Sequence, residues 1–373
     1  MSAPETKIPA NAPKRALAPP LFGVLVLAGL VIAGAGLQAT SNIVGPVFLV
    51  LTLVIAVHPL RVWMVRRHVP QVVSSVVALL GVYALLVIVL GSIVWSLTQL
   101  VTALTVYSAA FTDLYNQGLG ALAKVGISSS TLQTALSSVN LSTFAGVAQT
   151  LLNTLTSGLS SLALMLATAF FLVFDAAGID DRIASVAQDR PQIAAGLVDF
   201  AHVVRRYWVV STVFGLIVAV LDVTALAIIG VPMALTWGVL AFVANYIPNV
   251  GFFLGLVPPT LIALLDRGVG HAIVVVVVYC LINVIIQTLI QPRFTGNAVG
   301  MSGTATFLSL IFWAATLGPL GALLAVPATL FVKSLLVDQS ASGRWFGALI
   351  SSTPKAAAKV PARGGPSVAR RKR

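Results

Sequence analysis

The chain has 373 residues, of which 58% are hydrophobic and only 9% are charged, and its mean hydropathy is +1.01. Soluble domains contain about 25% charged residues, so this composition excludes a soluble globular protein and indicates an integral membrane protein. The formal net charge of +12 comes largely from the two ends of the chain and from short loops, without a folded basic domain, so nucleic acid is not an expected partner.

The first part of the chain predicts a short cytoplasmic N-terminus followed by three transmembrane helices. Residues 1–19 are rich in Pro, Ala and basic residues and are expected to be disordered. The apolar run at 21–39 is longer than that of a cleaved signal peptide, and a second span follows at once, so we expect the run to be retained. Three helices are therefore predicted within 20–100.

Six segments are long and apolar enough to cross a membrane. Each has about 18 or more mostly apolar residues, which suffices for a hydrocarbon core of about 30 Å. The segments are 21–39, 43–60, 72–98, 151–174, 208–230 and 271–291. The lipid bilayer is therefore the first expected partner of the chain.

Two stretches between the spans are expected to lie outside the membrane. Residues 101–150 are rich in Ser and Thr, with apolar residues at helical spacing, and predict a small extracytoplasmic helical insertion. Residues 175–206 carry nine charged side chains and predict a cytoplasmic helical linker. Either stretch is a plain connector or a gate of the pathway. The basic stretch 336–373 is expected to be a disordered cytoplasmic tail that follows the positive-inside rule.

Two apolar hairpins, 234–265 and 303–333, are each interrupted at the tip by Pro and Gly. Broken backbone at membrane depth is tolerated only where protein or a water-filled cavity satisfies its N–H and C=O groups. Paired interrupted segments of this kind point to a solute site. Residues 207–335 are therefore predicted to form a transport core.

The positions of the basic residues predict how the hairpins are oriented. With the N-terminus inside, six spans place the basic clusters in the cytoplasm only if each hairpin returns to the side from which it enters. The first hairpin then enters from outside and the second from inside, although two short full spans per hairpin would give the same parity. Laying 235–254 over 305–324 gives six identities, Gly251 with Gly321 among them, which agrees with an inverted repeat.

Three motifs in this region carry a resemblance to a known family. They are Asn245-Tyr246-Ile247-Pro248-Asn249-Val250-Gly251, then Gln291-Pro292-Arg293 followed by Gly300-Met301-Ser302, and Leu317-Gly318-Pro319-Leu320-Gly321. Together they resemble the AI-2E family of autoinducer-2 exporter-like transporters of the bacterial inner membrane. The resemblance implies a multi-pass, homo-oligomeric transporter, with some members linked to export of autoinducer-2 and others to sodium–proton exchange.

Asp222 lies well inside the predicted span 208–230. An ionised Asp near a helix centre costs about 2.5–3.5 kcal/mol, and such residues face the bundle interior or a wet cavity. The functional interpretation is a proton or cation site. The alternative is a protonated acid that bonds a neighbouring carbonyl or reaches the interface. Asp222 departs from the family pattern, in which this helix is usually apolar at that position.

The tip of the first hairpin offers two amide side chains. Asn245 and Asn249 flank Pro248, so they either line a solute site or replace the backbone partners lost at the proline. Gly251 permits close approach of the backbone. With Gly255 it also forms a G-x-x-x-G pattern, for which the alternative interpretation is a helix-packing seam.

A polar stripe follows in the predicted span 271–291. Asn283, Gln287 and Gln291 recur every four residues and therefore share one helix face. Such a stripe must face protein or water, so it either lines the pathway or bonds across a helix interface. The second hairpin tip adds four candidates, for which the alternative role is turn geometry. They are Thr316, Gly318, Pro319 and Gly321.

No zinc-binding, nucleotide-binding or nucleophile motif appears in the sequence, so no catalytic residue, metal or cofactor is assigned and an enzyme is not expected.

The predicted fold is an all-α integral membrane protein with six full spans, two broken hairpins of opposite orientation and a small extracytoplasmic helical insertion. The predicted function is secondary active export of a small polar solute like autoinducer-2, driven by H⁺ or Na⁺. The alternatives are a sodium–proton antiporter of the same fold and a non-transporting membrane scaffold. We expect a homo-oligomer in the bacterial inner membrane with both termini in the cytoplasm.

Overall fold

The computed structural model describes residues 19–124, 146, 149–150, 152–153, 159–248, 250–291 and 301–337. Regular structure in these ranges is helical, which confirms the all-α prediction. The helices are α1 (Pro19–Ala39), α2 (Ser41–Arg66), α3 (Gln71–Val106), α4 (Ser108–Lys124), α5 (Leu159–Asp175), α6 (Ile179–Asp189), α7 (Pro191–Ile229), α8 (Ala234–Ala244), α9 (Gly251–Arg267), α10 (Val269–Asn283) and α11 (Gly303–Val332). A 3₁₀ turn (Ala176–Gly178) joins α5 to α6, and π-helical turns continue α10 (Val284–Ile290) and α11 (Lys333–Val337). Most of the predicted insertion beyond Lys124, and almost all of the two predicted tails, falls outside the described residues.

Six helical stretches in the described ranges are long and apolar enough to cross a membrane, which is the number predicted. They are Ser41–Arg66, Gln71–Val106, Ser161–Asp189, Pro191–Ile229, Val269–Ile290 and Gly303–Leu335. The set differs from the prediction in one respect, because it includes the second hairpin and leaves out α1. That helix is nevertheless an apolar segment of 21 residues at the position predicted for the first span.

Two predicted boundaries fall inside continuous helices. α3 runs to Val106, past the predicted start of the insertion at 101. The hydroxyls of Thr102 and Thr105 donate to backbone carbonyls four residues earlier, so these polar residues leave the helix intact. α7 joins the second half of the charged linker to the fifth span in one helix of 39 residues, about 58 Å long. It begins with Pro191 in its first turn and ends at Gly230, whose φ of 81° favours glycine.

The first hairpin consists of α8, a turn that includes 245–248 and 250, and α9. Gly251 opens the second arm directly against the first, because a Cβ placed on it would lie 1.8 Å from the carbonyl oxygen of Ala244. Gly255 lies one turn further along the same face, where a Cβ would be 3.3 Å from the Cα of Ala241. The two glycines therefore let the arms pack closely, as the predicted packing seam requires.

The second hairpin is α11, which is interrupted at Gly318 (φ 66°, ψ −148°). Its two arms lie side by side, because the Trp313 indole N–H donates a hydrogen bond to Thr329 Oγ1 (2.9 Å). These residues are sixteen positions apart, and a straight helix would separate them by about 24 Å. Beyond the break, a Cβ on Gly321 would lie 1.8 Å from the carbonyl oxygen of Trp313. Gly251 and Gly321, aligned by the internal similarity, thus serve the same purpose in the two turns.

The two hairpin tips meet inside the bundle. Tyr246, at the first tip, is buried in the main hydrophobic core together with Leu324 and Leu330 of α11. That core also includes residues of α2, α3, α5 and α7. Ile247 and Val250 of the same tip pack against the smaller cluster that α11 forms around its own break. The side of the membrane from which each hairpin enters stays a prediction.

Candidate functional site

A small cavity of about 10 Å³, room for about one water molecule, lies between α7, α8, α9 and α10. α8 packs along α7 and α9, and α10 packs along α9 and α7, so the four helices form its walls. Its lining residues are Val218, Asp222, Ala241, Asn245, Gly251, Phe252, Gly255, Tyr279, Asn283 and Gln287. Five of these were candidates from the sequence: Asp222, Asn245, Gly251, Asn283 and Gln287. The structure therefore brings residues from four separate helical segments to one place.

Asp222 is the most buried charged side chain in the described part of the chain, with an exposed fraction of 1%. It projects from α7 into the cavity, one turn after Val218. Neither of its carboxyl oxygens has a hydrogen-bond partner among the described residues. Burial of an ionised carboxylate without a partner is strongly unfavourable, so this group must be neutral or must interact with a cation or water in the cavity.

Tyr279 projects from α10 into the same cavity and is likewise 1% exposed. Its hydroxyl also has no hydrogen-bond partner within the described ranges. Sequence reasoning missed this residue, although it precedes Asn283 by four positions and so extends the polar face of α10 by one turn. The cavity thus presents a carboxyl group and a phenol that are both free to bind a guest.

Three amide side chains form a hydrogen-bonded chain across the cavity wall. Gln287 Nε2 donates to Asn245 Oδ1 (3.0 Å) and to Asn283 Oδ1 (2.7 Å). Asn245 Nδ2 donates in turn to the carbonyl of Ser211 on α7 (3.1 Å), and Asn283 Nδ2 to the carbonyl of Tyr279 (2.9 Å). Two members of the polar stripe, Asn283 and Gln287, therefore line the cavity, and Gln287 also bonds across a helix interface to Asn245.

Local backbone features hold these amides in place. Gln287 lies in the π-helical turn after α10, and such turns are frequent at functional sites because they reorient one side chain within a helix. On α7, a Cβ at Gly215 would lie 2.9 Å from Asn245 Nδ2, so glycine leaves room for the amide to reach the Ser211 carbonyl. The first tip is thereby tied to α7.

Tyr246 makes a second tie between the first tip and α7. Its backbone carbonyl accepts a hydrogen bond from the buried Tyr207 hydroxyl (2.8 Å). Its own hydroxyl lies 2.8 Å from Thr212 Oγ1. Tyr246 is 2% exposed and closes the bundle beside Asn245, at the end of the cavity that faces the charged half of α7.

The remaining candidates that the structure describes lie away from this cavity. Pro248 forms part of the turn and is half-buried, and Asn249 falls outside the described residues. Gln291 follows the π-helical turn one helical turn beyond Gln287. At the second tip, the Thr316 hydroxyl donates to the carbonyl of Phe312 (3.0 Å) in its own helix. Three residues form the break beside it and contribute turn geometry: Gly318, Pro319 and Gly321.

The cavity has no constellation typical of a metal enzyme. Within the described ranges, no group of three or more His, Cys, Asp or Glu side chains could hold a metal ion. Its chemistry is that of one acid, one phenol and three amides. Such a set can hold a small hydroxylated solute, a proton or a small cation.

Comparison with known proteins gives matches over nearly the whole chain. Residues 22–339 match the profile of a family described as the AI-2E family transporter. The "AI-2 transport protein TqsA" of Escherichia coli (strain K12) is 30% identical over 332 residues, which cover 89% of this chain and 96% of that protein. The "Putative transport protein YhhT" of the same strain is 30% identical over 313 residues, which cover 83% of this chain and 88% of the relative.

Proposed function

The chain belongs to the AI-2E transporter family, and on that basis we propose that it is a secondary active transporter that exports a small polar solute across the bacterial inner membrane. The observation that carries this proposal is the cavity between α7 and α10, in which the buried Asp222 carboxyl and the Tyr279 hydroxyl face a chain of three amides. Buried polar groups without partners are costly, and a transported ligand would satisfy them.

The chemistry of the wall suggests the class of solute. Amide, phenol and carboxyl groups together donate and accept hydrogen bonds in several directions, which suits a small molecule rich in hydroxyls or carbonyls. A volume of about 10 Å³ is far below the roughly 300–1,000 Å³ of pockets for drug-sized ligands, so the helices around the cavity must move apart to admit such a solute. Autoinducer-2, which the name of the TqsA relative mentions, is the first solute to test.

Asp222 is the proposed coupling residue. An ion bound from one side of the membrane neutralises the carboxylate and removes the cost of burying its charge, so the occupied and empty forms favour different conformations. A proton and a sodium ion would both have this effect. In one conformation the carboxyl exchanges its ion with one side, and after the change it exchanges with the other.

The conformational change is proposed to be movement of the first hairpin against α7. Tyr246 and Asn245 bond the tip to α7 at the cytoplasmic end of the cavity, so their release would open it toward the cytoplasm. The charge distribution supports this orientation, since Arg205 and Arg206 lie shortly before the apolar half of α7. Cytoplasmic termini and hairpins of opposite orientation follow from the same rule.

A homo-oligomer stays a prediction, which native mass spectrometry of the purified protein would test.

The coupling proposal is tested by flux measurements in proteoliposomes. Efflux of autoinducer-2 is followed with an imposed pH or sodium gradient for the wild type, Asp222→Asn and the exposed control Asp189→Asn. We expect Asp222→Asn to lose gradient-driven flux while Asp189→Asn keeps it. If Asp222→Asn retains the full ion dependence, Asp222 has no role in coupling.

The movement proposal is tested with a crosslink. A Cβ on Gly238 would lie 3.4 Å from the Cβ of Val223, close to the roughly 3.5–4.5 Å found in disulfides. A Val223→Cys/Gly238→Cys pair, in a Cys280→Ser background that removes the only native thiol, would join α8 to α7. Oxidation should stop flux and reduction restore it, whereas Val223→Cys alone should be insensitive. Gly238→Cys alone is not used as a control, because its Cβ would lie 2.0 Å from Val223 Cγ2. Full flux in the oxidised protein would contradict movement of α8 against α7.

A sodium–proton antiporter of the same fold is the second candidate. It is favoured by the small volume of the cavity and by its single carboxyl group, because an exchanged ion needs little more than one acid. This candidate predicts that sodium collapses a pre-formed pH gradient in proteoliposomes that contain no organic solute. Solute flux without such a collapse would exclude it.

A further inference from the structure

The cavity that contains Asp222 is also lined by backbone atoms. Gly255 of α9 is buried and lines the cavity, and since glycine has no side chain, it does so with its backbone. In an α-helix its carbonyl would accept a hydrogen bond from the N–H of residue 259, and in a 3₁₀ turn from that of residue 258. Both residues are prolines, Pro258 and Pro259, which have no N–H to donate. The Gly255 carbonyl therefore lacks both of its usual helical donors.

Neighbouring side chains do not replace these donors. The nearest hydroxyl along the chain, Thr260 Oγ1, is buried and has no hydrogen-bond partner among the described residues. The three amide side chains of the cavity donate to other oxygens, as described above. A buried carbonyl without a donor is costly, so we expect a ligand to interact with it.

Three oxygen groups from three helices line this cavity: the Gly255 carbonyl on α9, the Asp222 carboxyl on α7 and the Tyr279 hydroxyl on α10. The carboxyl and the hydroxyl have no hydrogen-bond partner within the described ranges. None of the described residues that line the cavity is a Lys, Arg or His, so the charge of an ionised Asp222 is not balanced there. Hard cations take oxygen ligands, and backbone carbonyls released from helical hydrogen bonds coordinate sodium in transporters.

The size and charge of the cavity limit which cation fits. A volume of about 10 Å³ holds about one water molecule. A dehydrated sodium ion is smaller than a water molecule, a potassium ion is about as large, and a hydroxylated organic solute is several times larger. One monovalent cation would neutralise the single carboxylate, whereas a divalent cation would leave an excess charge buried, which is costly. These properties favour one sodium ion.

We propose that the carbonyl of Gly255, left without helical donors by Pro258 and Pro259, binds one sodium ion together with the Asp222 carboxylate and the Tyr279 hydroxyl. The inference rests on the proposed function, because it identifies the ion that Asp222 couples to transport. It adds a backbone ligand to that site and gives Pro259 a role, which is to keep the ligand available. The three amides remain available to the solute.

Sodium binding is tested without transport, on the purified full-length protein. Thermal unfolding is followed in NaCl and in KCl at equal ionic strength and constant pH. We expect NaCl to raise the melting temperature of the wild type more than KCl does, and Asp222→Asn to lose this difference. Pro259→Ala returns an N–H to the Gly255 carbonyl. The sodium concentration for half-maximal stabilisation should then rise about 10-fold or more, the effect of losing one ligand of a charged group.

Pro59→Ala is the matched control. Pro59 is an exposed proline inside α2, a helix that contributes no described residue to the cavity wall. Its substitution also removes a proline from a helix interior, which by itself stabilises a helix. Its sodium response should equal that of the wild type. The same sodium response in Pro259→Ala would overturn the role of the Gly255 carbonyl.

Two further outcomes bear on the ion itself. Equal stabilisation of the wild type by NaCl and KCl would overturn the proposal, and a proton would then be the coupling ion. If Pro259→Ala does not fold, binding of radioactive sodium to the wild type and to Tyr279→Phe replaces it, and we expect saturable binding that is weaker in the variant. Absence of saturable binding to the wild type would overturn the proposal. Because none of these assays measures flux, a failure to export autoinducer-2 would contradict the proposed function and leave the sodium result intact.

Discussion

Substitution of Gly251 by alanine should disrupt the first hairpin more than any comparable glycine substitution nearby. The added Cβ would lie 1.8 Å from the carbonyl oxygen of Ala244, whereas real Cβ atoms do not approach closer than 3.0 Å, so one arm must move by more than 1 Å. Backbone atoms cannot turn aside as a flexible side chain can. Forced backbone shifts of this kind cost about 1–3 kcal/mol, which for a chain of 373 residues corresponds to a fall in melting temperature of roughly 1–4 °C.

The chain offers a graded series of controls for this prediction. Gly270→Ala on α10 meets nothing within 4 Å and should be neutral or slightly stabilising, because alanine is the better helix former. Gly255→Ala meets Ala241 at 3.3 Å and should have an intermediate effect. Gly321→Ala repeats the 1.8 Å contact in the second hairpin and should be as harmful as Gly251→Ala.

Melting temperature and solute flux are the two measurements. Displacement of the tip in Gly251→Ala also moves Asn245, so we expect flux in proteoliposomes to fall at least tenfold as well. Gly270→Ala sets the baseline for both assays. The interpretation of the turn would be refuted if Gly251→Ala melted within 1 °C of Gly270→Ala and transported equally well.

Three further substitutions test individual contacts. Gln287→Leu removes the donor shared by two asparagine oxygens and should weaken solute binding about 10- to 100-fold in KM, while the exposed Thr288→Val should not. Tyr279→Phe removes a hydroxyl without a partner in the described part of the chain, so it should raise KM without lowering the melting temperature, and a marked loss of stability would contradict this. Thr329→Val removes the acceptor of the Trp313 indole N–H and should lower the free energy of unfolding by about 1–2 kcal/mol. Tryptophan fluorescence should change as well. An unchanged melting temperature would count against the antiparallel arrangement of the two arms.

The members of the cavity that sequence reasoning found share one property. Asp222, Asn245 and Gln287 are polar side chains inside apolar helical segments, where the bilayer offers them no partner. Such residues must turn toward protein or water, so their convergence on an interior cavity follows from the solvent. The four-residue spacing of Asn283 and Gln287 likewise predicted a shared face, and the two amides are hydrogen-bonded.

Two hydroxyl-bearing residues show why sequence reasoning does not assign a hydroxyl to the cavity or to the packing. Tyr279 was overlooked because a tyrosine in an apolar helix is as typical of a core as of a site. Thr316 was a candidate as the hydroxyl nearest the second tip, yet its hydroxyl bonds to a carbonyl of its own helix. Which alternative a hydroxyl adopts depends on the packing of neighbouring helices, and a single sequence does not contain that information.

The division between charged linker and apolar span within α7 marks a change of surroundings and not an end of the helix. Proline and the terminal glycine stand at its two ends, Pro191 and Gly230, so backbone hydrogen bonds continue where the composition changes. Charged and apolar residues have similar enough helix propensities that composition alone does not break a helix. A boundary drawn from hydropathy therefore locates the membrane surface better than it locates the helix end.

This continuity gives α7 a direct mechanical role in the proposed coupling. One helix carries Asp222 in the cavity. It also carries Tyr207 and Thr212, about 22 and 15 Å away along its axis, which hold Tyr246 at the hairpin tip. Because the helix has no interior proline, a shift of α7 caused by charging or neutralising Asp222 displaces the tip contacts as well. The coupling is reciprocal, so release of the tip must alter the affinity of Asp222 for its ion by the same factor. A chain of separate side-chain contacts between the two places is then unnecessary, since a single rigid element connects the ion site to the gate.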